Sequence, residues 1–226
     1  MLDNKRVVIT GANGVLGKAV TKKAIDNGAA VVLLDIDFDE GVVRQSAEVH
    51  HYKVDLLNPD DVDNIAKDIG SIDAIFNIAG GFSMGPSVYE VSQQEWDFQF
   101  RINVETLRNT VQAMVPMLLE RDSSSIVNVG ALGALTGAAG MGAYCASKSA
   151  VMRLTESLSE ELKAQGVNVN AVLPSIIDTP ANRSAMPDAN YQDWVDPEDL
   201  ANVMCFLASD ASRAIHGALV PVAGLS

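Results

Sequence analysis

Arg6-Val7-Val8-Ile9-Thr10-Gly11-Ala12-Asn13-Gly14-Val15-Leu16-Gly17 is the stretch that decides the fold. Arg6–Thr10 is short, apolar and β-branched, the pattern of a buried strand. Three glycines follow at intervals of three, and Val15–Asn27 then carries helical spacing. Strand, glycine-rich turn and helix in that order form the start of a dinucleotide-binding unit. The glycines permit a tight turn, a close approach by a diphosphate, and close packing of helix on strand. The helix aims its first amides at the phosphates. Gly11, Asn13, Gly14, Val15, Leu16 and Gly17 are therefore candidate cofactor residues.

The rest of the chain repeats the alternation. Ala30–Asp35, Val49–Asp55, Ile72–Ile78, Ser125–Val129, Val167–Leu173 and Ala218–Val222 read as strands. Pro59–Ile69, Gly142–Ala164 and Pro197–Ala208 read as helices, and Gln93–Leu119 contains another. Asn58 and Pro59 supply an N-cap and a first-turn residue. This order predicts an α/β fold, a Rossmann-type doubly wound parallel sheet of about seven strands with helices on both faces. A single domain over residues 1–226 is expected, because no linker, repeat or low-complexity segment interrupts it. Ser175–Asp196 lacks periodicity and holds Trp194, and so reads as a substrate lid around 175–196 or as a surface loop.

Composition narrows the function classes. The chain has 226 residues, 48 % of them hydrophobic, enough for a full core. Its net charge of −13 repels phosphate backbones and anionic lipid, so neither nucleic acid nor membrane is an expected partner. Cys145 and Cys205 make no disulfide framework or zinc motif, which suits a reducing cytoplasm. No signal-peptide stretch or membrane-length apolar run is present. His50, His51 and His216 lack metal-ligand spacing, so no metal site is expected.

Asp35 ends the second strand, where a carboxylate can accept hydrogen bonds from ribose hydroxyls and repel a 2′-phosphate. No Arg or Lys occurs in Leu33–Glu40, and Asp37, Asp39 and Glu40 add negative charge. NADH is therefore expected over NADPH. A turn-initiating role is the plainer account of Asp35.

Tyr144-Cys145-Ala146-Ser147-Lys148 begins a helical stretch and places a phenol and an ammonium on one face. A free tyrosine titrates near pH 10, and a nearby cation moves it towards neutrality, as general acid–base chemistry requires. Taken alone, this spacing is better described as an ordinary helix-surface pair.

Together with the glycine turn and Asp35, the motifs Asn77-Ile78-Ala79-Gly80, Asn103, Tyr144-x-x-x-Lys148 and Pro174 give a chain that resembles the short-chain dehydrogenase/reductase family over nearly its whole length. The resemblance implies Tyr144 as the general acid/base, Lys148 as the partner that binds the nicotinamide ribose and lowers the tyrosine pKa, and Asn103 in a water-linked proton relay. It also implies that Asp55 and Leu56 flank the adenine. Asn77, Ala79 and Gly80 would line the cofactor cleft, and Ile177 and Thr179 would meet the nicotinamide amide. Relatives usually pair their two long helices, which implies a homodimer or homotetramer.

Two positions depart from the family pattern. Val15 stands where a glycine is usual. Ala131 stands thirteen residues before Tyr144, where a substrate-orienting serine is expected. Losing such a donor costs a ketone reductase on the order of 3 kcal/mol of transition-state stabilisation. One branch of the family, the dihydropteridine reductases, also has alanine there. Ala79-Gly80-Gly81, Gly140-Met141, Ala171-Val172-Leu173-Pro174, Asp178-Thr179-Pro180, Asn182-Arg183, Met186-Pro187 and Trp194 resemble that branch. A quinonoid dihydropterin has its own polarised nitrogens and needs no isolated carbonyl activated. That branch has tryptophan after the glycine pair, and this chain has Phe82. Phe82, Ala131, Met186 and Trp194 are the candidate substrate residues, with Trp194 and Tyr191 either stacking on substrate or anchoring the lid. The alternatives are an ordinary alcohol dehydrogenase or carbonyl reductase, with Ser175 or a backbone group replacing the hydroxyl, and a non-catalytic NAD(H)-binding redox sensor.

Overall fold

The computed structural model describes residues 1–39 and 49–226, so Glu40 lies outside the described residues. Seven strands form one parallel sheet: β1 (Arg6–Thr10), β2 (Ala30–Asp35), β3 (Val49–Lys53), β4 (Ala74–Asn77), β5 (Ser124–Val129), β6 (Val167–Pro174) and β7 (Leu219–Val222). Their order is β3-β2-β1-β4-β5-β6-β7. From β1 the chain builds one half of the sheet through β2 and β3, then returns to lay β4 on the other side of β1. The loops after β1 and β4 therefore diverge, and a crevice opens at the strands' carboxyl ends.

Alternate residues of each strand feed two cores, as the period of a strand requires. Val7, Ile9, Val31, Leu33 and Phe76 pack on one face with Leu16 and Val20 of α1 (Val15–Asp26). Five helices follow in chain order: α2 (Pro59–Ile69), α3 (Gln93–Phe100), α4 (Thr106–Leu118), α5 (Gly142–Leu162) and α6 (Pro180–Ala185), before α7 (Pro197–Leu207). Leu200 and Met204 of α7 complete the first core, while Val8, Val32, Leu34, Ile75 and Ile126 face α2, α4 and α5. Both faces being apolar explains the near-continuous Val/Ile/Leu runs. Among the described residues, no helix is long and apolar enough to cross a membrane.

The differences from the sequence-based expectation have local causes. The Gln93–Leu119 region is not one regular helix, because a π-helical turn, Arg101–Glu105, separates α3 from α4. The Thr106 amide donates to Arg101 O, and the Thr106 hydroxyl donates to Ile102 O at 2.8 Å. β4 is shorter than Ile72–Ile78. The Asp73 carboxylate takes the Arg6 amide below it, and Thr10 Oγ1 takes the Ile78 and Ala79 amides above it. β3 stops at Lys53, and Asp55 Oδ1 accepts the Leu57 amide to start the turn into α2. The 175–196 segment has structure of its own. Thr179 caps the short α6, and Ile177 pairs with Val195 across the segment's base.

Candidate active site

The glycine turn runs hard against the end of β4. Gly11 has φ +65°, and a Cβ there would lie 2.8 Å from Ala79 N. A Cβ on Gly17 would lie 2.1 Å from Gly11 O, so only glycine lets α1 sit this close to the turn. Gly14 faces open space apart from Gly11 O, 3.4 Å from its ideal Cβ, and Val15 is exposed. The first turn of α1 contains no acidic residue and has no side-chain cap. Its amides are thus free of the groups that usually satisfy them, and the cradle fits a diphosphate.

Asp35 closes the other side of this cradle. Its Oδ2 accepts the Asn13 amide at 2.8 Å and its Oδ1 accepts the Ile36 amide at 2.7 Å. Each oxygen keeps a lone pair for a hydroxyl. Lys18 of α1 reaches the same region but pairs with Asp39 at 2.5 Å. Sequence reading of 33–40 alone could not find this cation. Asp55 is exposed and Leu56 buried beside it, with Leu56 O accepting from Asn109 Nδ2 at 2.9 Å. Asn77 Nδ2 donates to Asn128 Oδ1, and Asn128 Nδ2 donates to Thr155 Oγ1, each at 2.9 Å.

Lys148 and Asn103 converge on Gly80, and Tyr144 lies one turn before Lys148 on α5. A Cβ on Gly80 would lie 2.7 Å from Asn103 Oδ1 and 3.3 Å from Lys148 Nζ. Lys148 is buried, and its Nζ donates to Val129 O at 2.8 Å. Asn103 lies in the π-helical turn, accepts the Gly81 amide at 3.0 Å and donates to Ser147 Oγ at 3.1 Å. Ser147 Oγ in turn donates to Tyr144 O at 2.8 Å.

The electrostatics differ from the expectation for the pair. Burial, reinforced by the Cys145 thiol, pushes Tyr144 up to about 12. Burial also holds Lys148 down, at about 8. The ammonium is itself disfavoured in its buried setting, so the protein's own groups do not lower the phenol pKa. They keep Tyr144 protonated at neutral pH.

Ala131 is 5 % exposed and belongs to an apolar cluster with Ala134, Cys145, Met152, Ala171 and Leu173, against which Tyr144 packs. A methyl group therefore occupies the place of the expected hydroxyl. Ser175, one candidate replacement, is engaged elsewhere: its hydroxyl donates to Ala223 O at 2.7 Å and meets Ser226 Oγ at 2.7 Å. Phe82 is half exposed, and its ring meets that of Tyr144 edge to face with centroids 4.9 Å apart.

Pro174 ends β6 and is buried, and the segment after it carries Ile177, Thr179 and Met186, which are partly exposed. Thr179 Oγ1 accepts the Asn182 amide, and Asn182 Nδ2 donates to Ile177 O. Arg183 binds Asp178 through two contacts of 2.6 Å and lies 4.8 Å over the Tyr191 ring. Trp194 is 8 % exposed and packs on Tyr191, so its ring anchors this segment from within.

Sequence reading missed several polar residues that shape the site. Thr10 lies inside the opening stretch, yet its hydroxyl gathers two amides from the end of β4. Ser147 sits between Tyr144 and Lys148. Gln99 and Glu95 precede Asn103 at intervals of four, a spacing that was legible but attached to no motif.

The short chain dehydrogenase family model matches residues 5–190. The chain is 30 % identical over 243 residues to dehydrogenase/reductase SDR family member 6 of Danio rerio, covering 99 % of this chain and 97 % of that one. Among solved structures, the ligand-free aldohexose dehydrogenase of Thermoplasma acidophilum is similar at a TM-score of 0.88 and 29 % identity, covering 99 % and 94 %. The 3-ketoacyl-(acyl-carrier-protein) reductase of Brucella melitensis, complexed with NADH, is similar at 0.89 and 26 %, covering 99 % and 98 %. The chain belongs to the short-chain dehydrogenase/reductase family and is an NAD(P)-dependent oxidoreductase of that family.

Proposed function

We propose that the protein is an NADH-dependent reductase of a planar, conjugated acceptor of the quinonoid dihydropterin kind, with Tyr144 as proton donor. The observation that carries this reading is the pairing of a buried methyl at Ala131 with the half-exposed ring of Phe82 beside Tyr144. A simple ketone needs a hydrogen-bond donor on its oxygen, and Ala131 has none to give. A conjugated ring system needs a stacking or edge-on apolar wall, which Phe82 offers.

The nicotinamide cofactor, when bound, supplies the hydride. Gly11, Asn13, Gly14, Val15, Leu16 and Gly17 hold its diphosphate, Asp35 its adenosine ribose, and Asp55 and Leu56 its adenine. Asn77, Ala79, Gly80, Pro174, Ile177 and Thr179 line the nicotinamide end. Tyr144 gives its proton to the acceptor, Lys148 holds the ribose beside it, and Asn103 organises the route by which the proton is replaced. Phe82, Ala131 and Met186 form the acceptor's surroundings, with Trp194 bracing a lid of residues 175–196. Asp35, with Lys18 neutralised by Asp39, supports NADH over NADPH. We read residues 1–226 as one domain, cytoplasmic, that assembles as a homodimer or homotetramer.

The second reading is an ordinary alcohol dehydrogenase or carbonyl reductase, favoured by relatives named for an aldohexose and a 3-ketoacyl group. The test is loss of reduced cofactor when pure protein meets NADH or NADPH with either quinonoid dihydropterin or a panel of ketones. Turnover of the pterin with NADH supports the first reading. Turnover confined to ketones overturns it.

A further inference from the structure

Helix α3 begins at Ser92, whose hydroxyl accepts the Glu95 amide at 3.1 Å. That spacing is the one in which a glutamate reaches back to its own helix cap. Here Glu95 Oε1 accepts instead from the hydroxyl of Ser83 and, at 3.4 Å, from Gln99 Nε2. Gln99 is fully buried, donates to Ser83 Oγ at 2.8 Å, and accepts from Asn103 Nδ2 at 3.2 Å. Asn103, 2 % exposed, clasps Gly81 from both sides, accepting its amide at 3.0 Å and donating to its carbonyl at 3.1 Å. Asn103 Nδ2, Gln99 Nε2 and the Ser83 hydroxyl donate in sequence towards Glu95, while Asn103 Nδ2 also donates to Gly81 O and Ser147 Oγ, which fixes the orientation of both amides. The ladder grips the loop at Gly81 and Ser83, the residues on either side of Phe82.

We propose that Glu95, Gln99 and Asn103 form a positioning ladder that clamps Gly81 and Ser83 and thereby fixes Phe82 against Tyr144 as a wall of the acceptor site. This rests on reading Tyr144 as the proton donor. The acceptor contacts the ring of Phe82, while Glu95, Gln99 and Ser83 act only through it. Two clamped neighbours leave Phe82 little backbone freedom, although its side chain is half exposed. Ordering the ring beforehand spares the acceptor that task.

The experiment compares wild type with Ser83→Ala, Gln99→Leu and the conservative Ser83→Thr. Amide hydrogen exchange of the loop Gly80–Met84 is read beside steady-state kinetics and NADH affinity. The ladder requires faster exchange in Ser83→Ala and Gln99→Leu, and a KM for the conjugated acceptor raised about three- to fivefold, no more than loss of the Phe82 ring itself would give. It also requires NADH affinity to stay within about twofold in both variants, and kcat to do so in Ser83→Ala, because Tyr144, Asn103 and the glycine cradle keep their partners there. Ser83→Thr must restore both exchange and KM. Unchanged exchange in both variants overturns the proposal, as does faster exchange with an unchanged KM. If wild type turns over no acceptor, the reading of the site fails. The exchange data and acceptor binding, followed by quenching of bound NADH fluorescence, then still decide the ladder.

Discussion

Phe82 and Tyr144 meet edge to face, with ring planes at 84° and centroids 4.9 Å apart. The contact joins the loop after β4 to the first turn of α5, and it forms an apolar wall next to the phenol. Removing the ring by Phe82→Ala takes away its aromatic contact with the acceptor, worth about 1 kcal/mol. The KM for a conjugated acceptor should rise about fivefold, the fold-change that such an energy implies. NADH affinity, measured by fluorescence, should not change.

Tyr144→Phe keeps the ring against Phe82 and removes only the transferable proton. We expect kcat to fall by about 10²- to 10⁴-fold, the usual contribution of a positioned acid. NADH binding should persist, which separates lost chemistry from lost structure.

Lys148 gives a pH signature in stability. Its folded pKa of about 8 lies below the ordinary 10.5, so the folded state prefers the neutral amine. The stability it contributes is present above pH 10.5 and is lost as pH falls through 8. Lys148→Met has no such loss. Its stability relative to wild type, from urea unfolding without cofactor, should therefore rise by about 3 kcal/mol between pH 10.5 and 8 and then level off. A flat difference across that window contradicts the buried-ammonium account.

Asp35→Ala removes the carboxylate that accepts the Asn13 and Ile36 amides. NADH affinity should fall about tenfold as a charged acceptor is lost from the cradle. NADPH, with its 2′-phosphate no longer repelled, should lose less or gain. The ratio of the two dissociation constants checks this directly.

The glycine stretch foretold β1, the turn and the start of α1, because the physical demands there are local: a positive φ, a close helix and an open face. The seven strands were legible from their apolar runs, since both faces of the sheet are buried. The break at Arg101–Glu105 was not. No proline or glycine marks it, and its side-chain partners lie elsewhere in the sequence, at Gly81 and Ser147. The direction of the Tyr144 pKa was missed for a similar reason. Spacing shows that a lysine is near, but only the packing shows that the lysine is itself buried. Ser175 fared likewise, its hydroxyl captured by Ala223, 48 residues along the chain.

Ala131 bears most on the choice of acceptor, and the decisive measurement is the ratio of kcat/KM for quinonoid dihydropterin to that for a simple ketone, in wild type and in Ala131→Ser. We expect wild type to favour the pterin and Ala131→Ser to shift the ratio towards the ketone by about tenfold or more, as the added hydroxyl supplies the missing donor. Wild-type preference for the ketone, with no shift on adding the hydroxyl, contradicts the account.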